Sequence, residues 1–256
     1  QFRIKNVADD RTRSVTGLRY PSVGRMEVLE AMMNHPHWKA PLSETHHGRG
    51  VAVGYWPTGG AESSCTISVN TDGTINLVEG STDIGGTRAS VAMQAAELLG
   101  VKAEDVNPQV SDTDSIGYTS GTGGSSVTFK TGLAAYKAAE SVLEQMMDRV
   151  GLMWNVNRES IQYNGDIFTS TDAQGKHIDF KEVASDINNT GGPIVGRSSI
   201  NATGSAPTFA GCIIDVKLDV ETGKVEVSRV TIFQDVGKAI HPNYVEGQMQ
   251  GGIVQG

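Results

Sequence analysis

A glycine-rich turn at residues 80–90 (Gly-Ser-Thr-Asp-Ile-Gly-Gly-Thr-Arg-Ala-Ser) constrains the fold of this chain more than any other feature. The strand-like residues 74–78 precede the turn, and residues 91–99 follow it with an apolar helical pattern that stops at Gly100. The first N–H groups of a helix lack intrahelical partners and lie at the positive end of its dipole. The turn therefore predicts a helix start suited to an anion or a polar cofactor. An ordinary strand-to-helix connection gives the same pattern, because glycine readily adopts positive φ angles.

Two more segments of small and polar residues precede predicted helices. Residues 119–126 (Thr-Ser-Gly-Thr-Gly-Gly-Ser-Ser) lead into a long helical pattern that ends near residues 150–154. Residues 243–248 (Asn-Tyr-Val-Glu-Gly-Gln) are predicted to open a third helix over residues 249–254. Three such helix starts are more than packing alone requires, so their recurrence favours a binding role.

The remaining segments predict an α+β fold with mixed or antiparallel sheets and helices. Asp72-Gly73 lies between two alternating segments and is typical of a β-hairpin turn, and a second hairpin is predicted to turn at Asn164-Gly165. The other predicted strands are residues 51–56, 106–110, 209–220 and 224–234, and the other predicted helices are residues 26–33 and 179–187. Hairpins mixed with helices favour α+β over a regular parallel βαβ arrangement.

The length of 256 residues predicts one large or two modest domains, with enough chain to bury a core. We predict a peripheral arm and short helix over residues 1–47, and the main α+β region over residues 48–256. The sequence begins without Met and ends inside an apolar helical pattern. We therefore expect a piece of a longer polypeptide or of a split assembly.

The composition argues against several kinds of partner. A formal net charge of −8 and a pI near 5.2 disfavour nucleic acid and anionic membranes, which attract basic surfaces. The sequence contains no apolar run long enough to span a bilayer. Cys65 and Cys212 lie far apart, without the spacing of an iron–sulfur or zinc motif, and fit a reduced, cytoplasmic setting. The histidines at positions 35, 37, 46 and 47 lack carboxylates at ligand spacing, so they are a weak metal-site signal.

A series of motifs follows in one order along the chain. They are Phe2-Arg3-Ile4-Lys5-Asn6, Asp72-Gly73, the first turn with Gln94 and Glu97 after it, the second turn, Asp219-Val220-Glu221-Thr222-Gly223, Asp235-Val236-Gly237, His241-Pro242, Glu246-Gly247-Gln248, Gly251-Gly252 and Gln255-Gly256. In this order and spacing they resemble the xanthine dehydrogenase and aldehyde oxidase family of molybdenum hydroxylases. The resemblance spans essentially the whole chain and corresponds to the later part of the molybdopterin-binding large subunit.

The resemblance implies a molybdopterin-binding domain in which the three turns hold the cofactor. It assigns Gly85, Gly86 and Thr87 to cofactor binding at the first turn, and Gln248 to a hydrogen bond with the pterin at the third. At the second turn it assigns a run of five residues: Gly123, Gly124, Ser125, Ser126 and Val127. Small residues suit this role, because a backbone N–H must come within about 3 Å of a cofactor atom.

Three positions bear on this assignment. Gly86 stands where the family usually has the glutamine of Gly-Gln-Gly, which leaves a backbone contact, a water or a weaker site in place of a side-chain hydrogen bond. Arg88, just beyond, has two interpretations: a phosphate partner, or a solvent-facing helix residue. His241-Pro242 stands where Asn-Pro is usual, and we expect a structural turn in either case.

No catalytic or metal-ligating residue is assigned to this chain. The general-base glutamate of the family and its substrate-contacting loops are expected outside these 256 residues. Acidic residues at strand ends and turns are expected to cap helices or order turns instead. These residues are Asp83, Asp112, Asp114 and Asp235.

The leading interpretation is part of a molybdenum hydroxylase catalytic subunit that supports oxidative hydroxylation of a purine, N-heterocycle or aldehyde, with water as the oxygen source. The chain alone would be inactive. The resemblance implies molybdenum–molybdopterin, in bacteria in a form such as the cytosine dinucleotide, together with the remaining half of the subunit and 2Fe-2S and FAD on partner chains or domains. The alternative is a non-catalytic assembly or interaction domain with weak or no cofactor binding. An independent phosphate-ligand enzyme is disfavoured, because no Walker or Rossmann pattern is complete.

Overall fold

The computed structural model describes residues 1–17, 19–42 and 45–256. Within these residues the helices are α1 (Phe2–Lys5), α2 (Arg25–Asn34), α3 (Pro36–Lys39), α4 (Thr87–Leu99), α5 (Thr113–Ile116), α6 (Val127–Trp154), α7 (Phe180–Ser185) and α8 (Pro242–Gln255). The strands are β1 (His47–Trp56), β2 (Glu62–Val69), β3 (Ile75–Glu79), β4 (Val106–Val110), β5 (Ile161–Tyr163), β6 (Ile167–Ser170), β7 (His177–Asp179), β8 (Ile194–Asn201), β9 (Thr208–Leu218) and β10 (Val225–Asp235). The mixture of helices and mainly antiparallel sheets confirms the predicted α+β class.

The chain divides into two compact units. The first contains Gln1–Gly59 and Ser205–Ala239, and the second contains Gly60–Gly204 and Ile240–Gly256. This division differs from the boundary predicted at residue 47, because β1 pairs with β9, a strand distant in sequence.

The first unit is built on the antiparallel sheet β1-β9-β10, with β9 in the middle. Burial alternates along β9, as expected for a strand with one face against the core. Helix α2 packs on that face, and the resulting core contains Val28, Leu29, Met32, Phe209 and Ile213. Part of the segment predicted as a peripheral arm is therefore core-forming.

A buried ionic cluster lies in the same unit. Arg49 donates two hydrogen bonds to the Asp215 carboxylate, from Nε at 2.7 Å and from Nη2 at 2.8 Å. His37 is fully buried, with Nε2 3.0 Å from Asp215 Oδ2 and Nδ1 2.7 Å from Thr231 Oγ1. Hydrogen bonds from Arg49, and to a smaller extent the contact with His37, lower the pKa of Asp215 to about 2. This cluster joins α3 to the sheet, because Arg49 also donates to two backbone carbonyls at the end of that helix.

The second unit contains a four-stranded sheet in the order β4-β3-β2-β8. Strands β2 and β3 form the hairpin predicted at Asp72-Gly73, and β3 and β4 pair in parallel across the connecting helix α4. A smaller antiparallel sheet, β5-β6-β7, confirms the second predicted hairpin. Helices α4 and α6 cover the larger sheet, and their alanines, together with Ile67, Ile75 and Leu77 of the sheet, form the main core.

Strand β8 is a feature that the sequence analysis did not predict. It pairs with β2 at the edge of the sheet and lies close to α6. A Cβ at Gly196 would overlap the Ala138 carbonyl oxygen, and Ser198 Oγ donates to the Ala134 carbonyl at 2.6 Å. Its glycine and serine residues lack the apolar alternation of a typical strand, so tertiary contacts define it.

Helix α8 corrects the prediction for residues 243–248. We expected a turn there, with a helix starting at residue 249, and this prediction is wrong because the helix starts at Pro242. Proline is favoured in the first helical turn, where its missing N–H would have no intrahelical acceptor. Gln248 therefore lies within the helix and not in a turn before it.

Across the parts of the chain given above, no helix combines the length and apolar character needed to cross a membrane.

Candidate functional site

The second glycine-rich turn leads directly into α6. Gly124 and Ser125 both have a φ of +61°, and Gly123, Gly124 and Ser125 are exposed at the surface of the unit. Ser126 and Val127 are buried, and Ser126 Oγ donates to the Gly123 carbonyl at 2.8 Å. Of the five residues assigned to cofactor binding here, the first three are thus accessible to a ligand, while the other two shape the turn.

Two glycines of this turn have no structural explanation within the described chain. Gly121 and Gly123 do not have positive φ angles, and a Cβ built on either would meet nothing within 4 Å. Glycine is normally required where φ is positive or where another group comes close to Cα. The backbone at these glycines is therefore open to close approach by a ligand or a partner.

Lys130 lies beneath the second turn and is fully buried. Its ammonium group donates to the Ser120 carbonyl at 2.7 Å, Ser120 Oγ at 2.8 Å and the Gly121 carbonyl at 3.0 Å. Burial lowers the pKa of Lys130, while the nearby charge of Glu62 raises it. The sequence analysis missed this residue, because a lysine within a helical pattern is normally interpreted as exposed.

The first turn leads into α4. Gly85 and Gly86 have φ angles of +63° and +77°, and Gly86 is the N-cap of the helix. Asp83 Oδ1 accepts a hydrogen bond from the Arg88 backbone N–H at 3.1 Å, and Asp83 Oδ2 accepts one from Arg88 Nε at 2.8 Å. The chain's own carboxylate thus engages both the helix start and the arginine that we considered as a phosphate partner.

A buried polar network anchors the first turn to α6. Ser81 Oγ lies 2.6 Å from Thr131 Oγ1, which is also 3.0 Å from Ser63 Oγ. The Ser81 backbone N–H donates to Glu79 Oε2. Burial raises the pKa of the Glu79 carboxyl, and the hydrogen bonds from Ser81 oppose this shift.

The two turns are directly connected, because the Thr82 backbone N–H donates to Thr122 Oγ1 at 3.2 Å. Behind them, Gln94 Nε2 of α4 donates to the Thr128 carbonyl of α6 at 3.2 Å. The structure therefore brings the first two predicted sites together at the starts of two packed helices.

Helix α8 places two of its side chains against the first turn. An ideal Cβ at Gly85 would lie 3.1 Å from Gln248 Nε2, and one at Gly86 would overlap the ring of Tyr244. The Tyr244 ring stacks on His241, with ring centres 3.7 Å apart and planes inclined by 8°. The space that a glutamine side chain at position 86 would need is thus occupied by Tyr244, which the sequence analysis did not single out.

Other residues considered from the sequence have structural roles. Asp112 caps α5 by accepting from the Ser115 N–H at 2.9 Å, and Asp235 accepts from the Gly24 N–H at 2.5 Å and the Gly237 N–H at 2.8 Å. Within residues 1–17, 19–42 and 45–256, no group of three or more His, Cys, Asp or Glu residues is arranged to hold a metal ion.

The first two turns fit a polar cofactor with many acceptor atoms. They combine exposed small residues, helix starts and positive φ angles, with open space beside Gly121 and Gly123. Since Gln248 lies beside Gly85, the predicted residues of all three segments lie within one unit of the fold.

This α+β fold with paired glycine-rich helix starts defines a cofactor-binding domain. A family model described as the molybdopterin cofactor-binding domain matches residues 29–256, and the chain belongs to this family. The predicted relationship to xanthine dehydrogenases and aldehyde oxidases is confirmed by curated relatives. The putative xanthine dehydrogenase molybdenum-binding subunit XdhA of Escherichia coli (strain K12) is 27% identical over 275 residues, covering 100% of this chain and 37% of that protein. The nicotine 6-hydroxylase large subunit of Paenarthrobacter nicotinovorans is 25% identical over 258 residues, covering 90% of this chain and 32% of that protein.

Solved structures show the same fold. The Cu,Mo-CO dehydrogenase superposes with a TM-score of 0.86 at 21% identity, over 98% of this chain and 36% of that chain. Quinoline 2-oxidoreductase from Pseudomonas putida 86 gives a TM-score of 0.83 at 21% identity, over 98% of this chain and 36% of that chain. The chain thus spans 37% or less of the length of these relatives.

Proposed function

We propose that this chain forms part of the molybdopterin site of a molybdenum hydroxylase catalytic subunit. The observation that carries the proposal is the pair of connected turns, whose exposed glycines leave the backbone at two helix starts open to a ligand. A purine, N-heterocycle or aldehyde is the proposed substrate class, hydroxylated with water as the oxygen source. The names of the relatives, which include xanthine dehydrogenase and nicotine 6-hydroxylase, support this range.

Different residues of the chain would contribute to cofactor binding in different ways. The exposed backbone at Gly85, Gly123 and Gly124 lets cofactor atoms approach closely. Gln248 can supply its amide from α8, while Gly86 and Thr87 shape the start of α4. Ser125 adds an exposed hydroxyl, and the buried Ser126 and Val127 hold the turn.

When bound, the molybdenum cofactor supplies the redox centre for oxidation of the substrate. We propose a dinucleotide form such as the cytosine dinucleotide, and partner chains or domains that carry 2Fe-2S and FAD and accept the electrons. The remaining half of the subunit would provide the substrate pocket and the general base. The unpaired cysteines Cys65 and Cys212 support a cytoplasmic location.

The decisive experiment is metal and pterin analysis of the complete native protein that contains this chain. Molybdenum is measured by elemental mass spectrometry, and pterin by oxidation and fluorescence. About one of each per copy is the expected result. Absence of both from an assembled protein of molybdenum-replete cells would reject the proposal and leave a non-catalytic assembly domain.

Replacement of Gly123 by alanine tests the site itself. The substitution meets no atom within 4 Å and no strained φ angle, so we expect an unchanged unfolding midpoint. Cofactor occupancy should fall several-fold, because the methyl group would hold the ligand away from the backbone N–H groups. Gly50→Ala is the matched control, since position 50 lies in β1 with equally open space. Equal cofactor content in the two variants would exclude close contact at residue 123.

A further inference from the structure

Lys130 carries a charge that is buried against neutral partners. The side chain is fully buried on α6, and its three hydrogen-bond acceptors are neutral oxygens of Ser120 and Gly121. Among the residues that the structure describes, Glu62 is the charged group that acts on it, and no ion pair joins the two. Burying an ammonium group without a carboxylate is unfavourable, so a retained charge here needs a reason.

The geometry of the neighbouring peptide groups supplies a reason for this buried charge. The carbonyls of Ser120 and Gly121 point at the ammonium of Lys130. These peptide bonds are trans, so the N–H groups of the same peptide units, on Gly121 and Thr122, point away from it. Neither N–H has an acceptor within residues 1–17, 19–42 and 45–256.

A cation that withdraws electron density from a carbonyl also strengthens the N–H donor of the same peptide group. Gly121 is exposed with open space at its Cα, so its N–H can be reached by a ligand. We propose that Lys130 is a positioning residue, which fixes and polarises the second turn so that the N–H groups of Gly121 and Thr122 bind an anionic group of the cofactor. This inference rests on the proposed function.

The test compares cofactor release from the complete protein in four variants. Lys130→Met removes the charge at similar length, Lys130→Arg keeps a charge, and Ser120→Ala removes one acceptor while keeping the lysine. Lys137→Met is the matched control, since Lys137 lies on the same helix but is exposed and paired with Glu140. The readout is the rate at which pterin and molybdenum leave the protein during dilution.

We expect Lys130→Met to release cofactor about tenfold faster than wild type, the scale of one lost charge-assisted hydrogen bond. Lys130→Arg should restore most of the retention, and Lys137→Met and Ser120→Ala should behave like wild type. Equal release from Lys130→Met and Lys137→Met would overturn the inference. Equal loss in Lys130→Arg, Lys130→Met and Ser120→Ala would also overturn it, because a purely structural clamp would then explain the data.

A pH series on the wild-type protein provides a test that does not depend on folding of Lys130→Met. Release should accelerate as alkaline pH removes the lysine proton, and Lys130→Arg should not show this acceleration, because a guanidinium keeps its charge in this range. Identical profiles would contradict the inference. Failure of the proposed function is distinguishable, since wild-type protein would then contain no molybdenum or pterin to release.

Discussion

The side chain of Tyr244 restricts which residues fit at position 86. Gly86 combines a φ of +77° with a Cβ direction that points into the Tyr244 ring. The usual family glutamine cannot be restored at position 86 without moving this ring. An aromatic side chain of α8 thus fills the space that a longer side chain at position 86 would need.

We predict that Gly86→Ala lowers the free energy of unfolding by about 2–3 kcal/mol, through φ strain and overlap together. Adding Tyr244→Ala should restore the free energy of unfolding that is lost through overlap, while the loss through φ strain should remain. Gly165→Ala is the control for strain alone, because position 165 has a φ of +93° and open space. Urea unfolding of the single and double variants measures the coupling. A coupling energy near zero would show that the ring and residue 86 are independent.

At the scale of elements, the packing of β8 on α6 depends on Gly196. A Cβ there would overlap the backbone oxygen of Ala138, and backbone cannot move as a flexible side chain does. Gly196→Ala is therefore expected to cost about 1–3 kcal/mol of stability. Gly54→Ala, in β1 with no atom within 4 Å, should change stability little. The unfolding midpoints of both variants in thermal unfolding measure this cost. Similar midpoints would mean that β8 can move to accommodate the added methyl group.

The elements that the sequence predicted correctly carry local signals. The hairpin at Asp72-Gly73 and the helix starts near Gly86 and Ser126 are set by turn residues within a few positions. The start of α8 carries a local signal, Pro242, which the sequence analysis did not use. Strand β8 depends on contacts with distant residues, so local patterns did not reveal it. Contacts with distant residues also set the positions of Lys130 and Tyr244, so local patterns did not single these residues out. The family motifs, in contrast, predicted the fold and the location of the first two turns. The individual cofactor contacts stay predictions.

For the molecule as a whole, the first unit is expected to be sensitive to acid. The pKa of Asp215 is lowered from 3.8 to about 2 by its contacts with Arg49 and His37. A lowered folded-state pKa contributes stability above the unfolded value, and this contribution is lost as pH falls from about 4 to about 2.

Amide hydrogen exchange between pH 7 and pH 2 can follow each unit separately. Strands β1 and β9 should lose protection across the lower part of this range, after correction for intrinsic exchange rates. Asp215→Asn should be less stable at neutral pH but show a smaller change with acid. Equal acid dependence in wild type and Asp215→Asn would assign the transition to other carboxylates.

The two units are interleaved along the chain, and this has a consequence during protein synthesis. Strand β1 must wait for its partner β9 until residues 60–204, most of the second unit, have left the ribosome. Until then one strand of the first unit exposes unpaired edges, while the second unit already has its main sheet. We therefore expect the main sheet of the second unit to form before β1 pairs with β9.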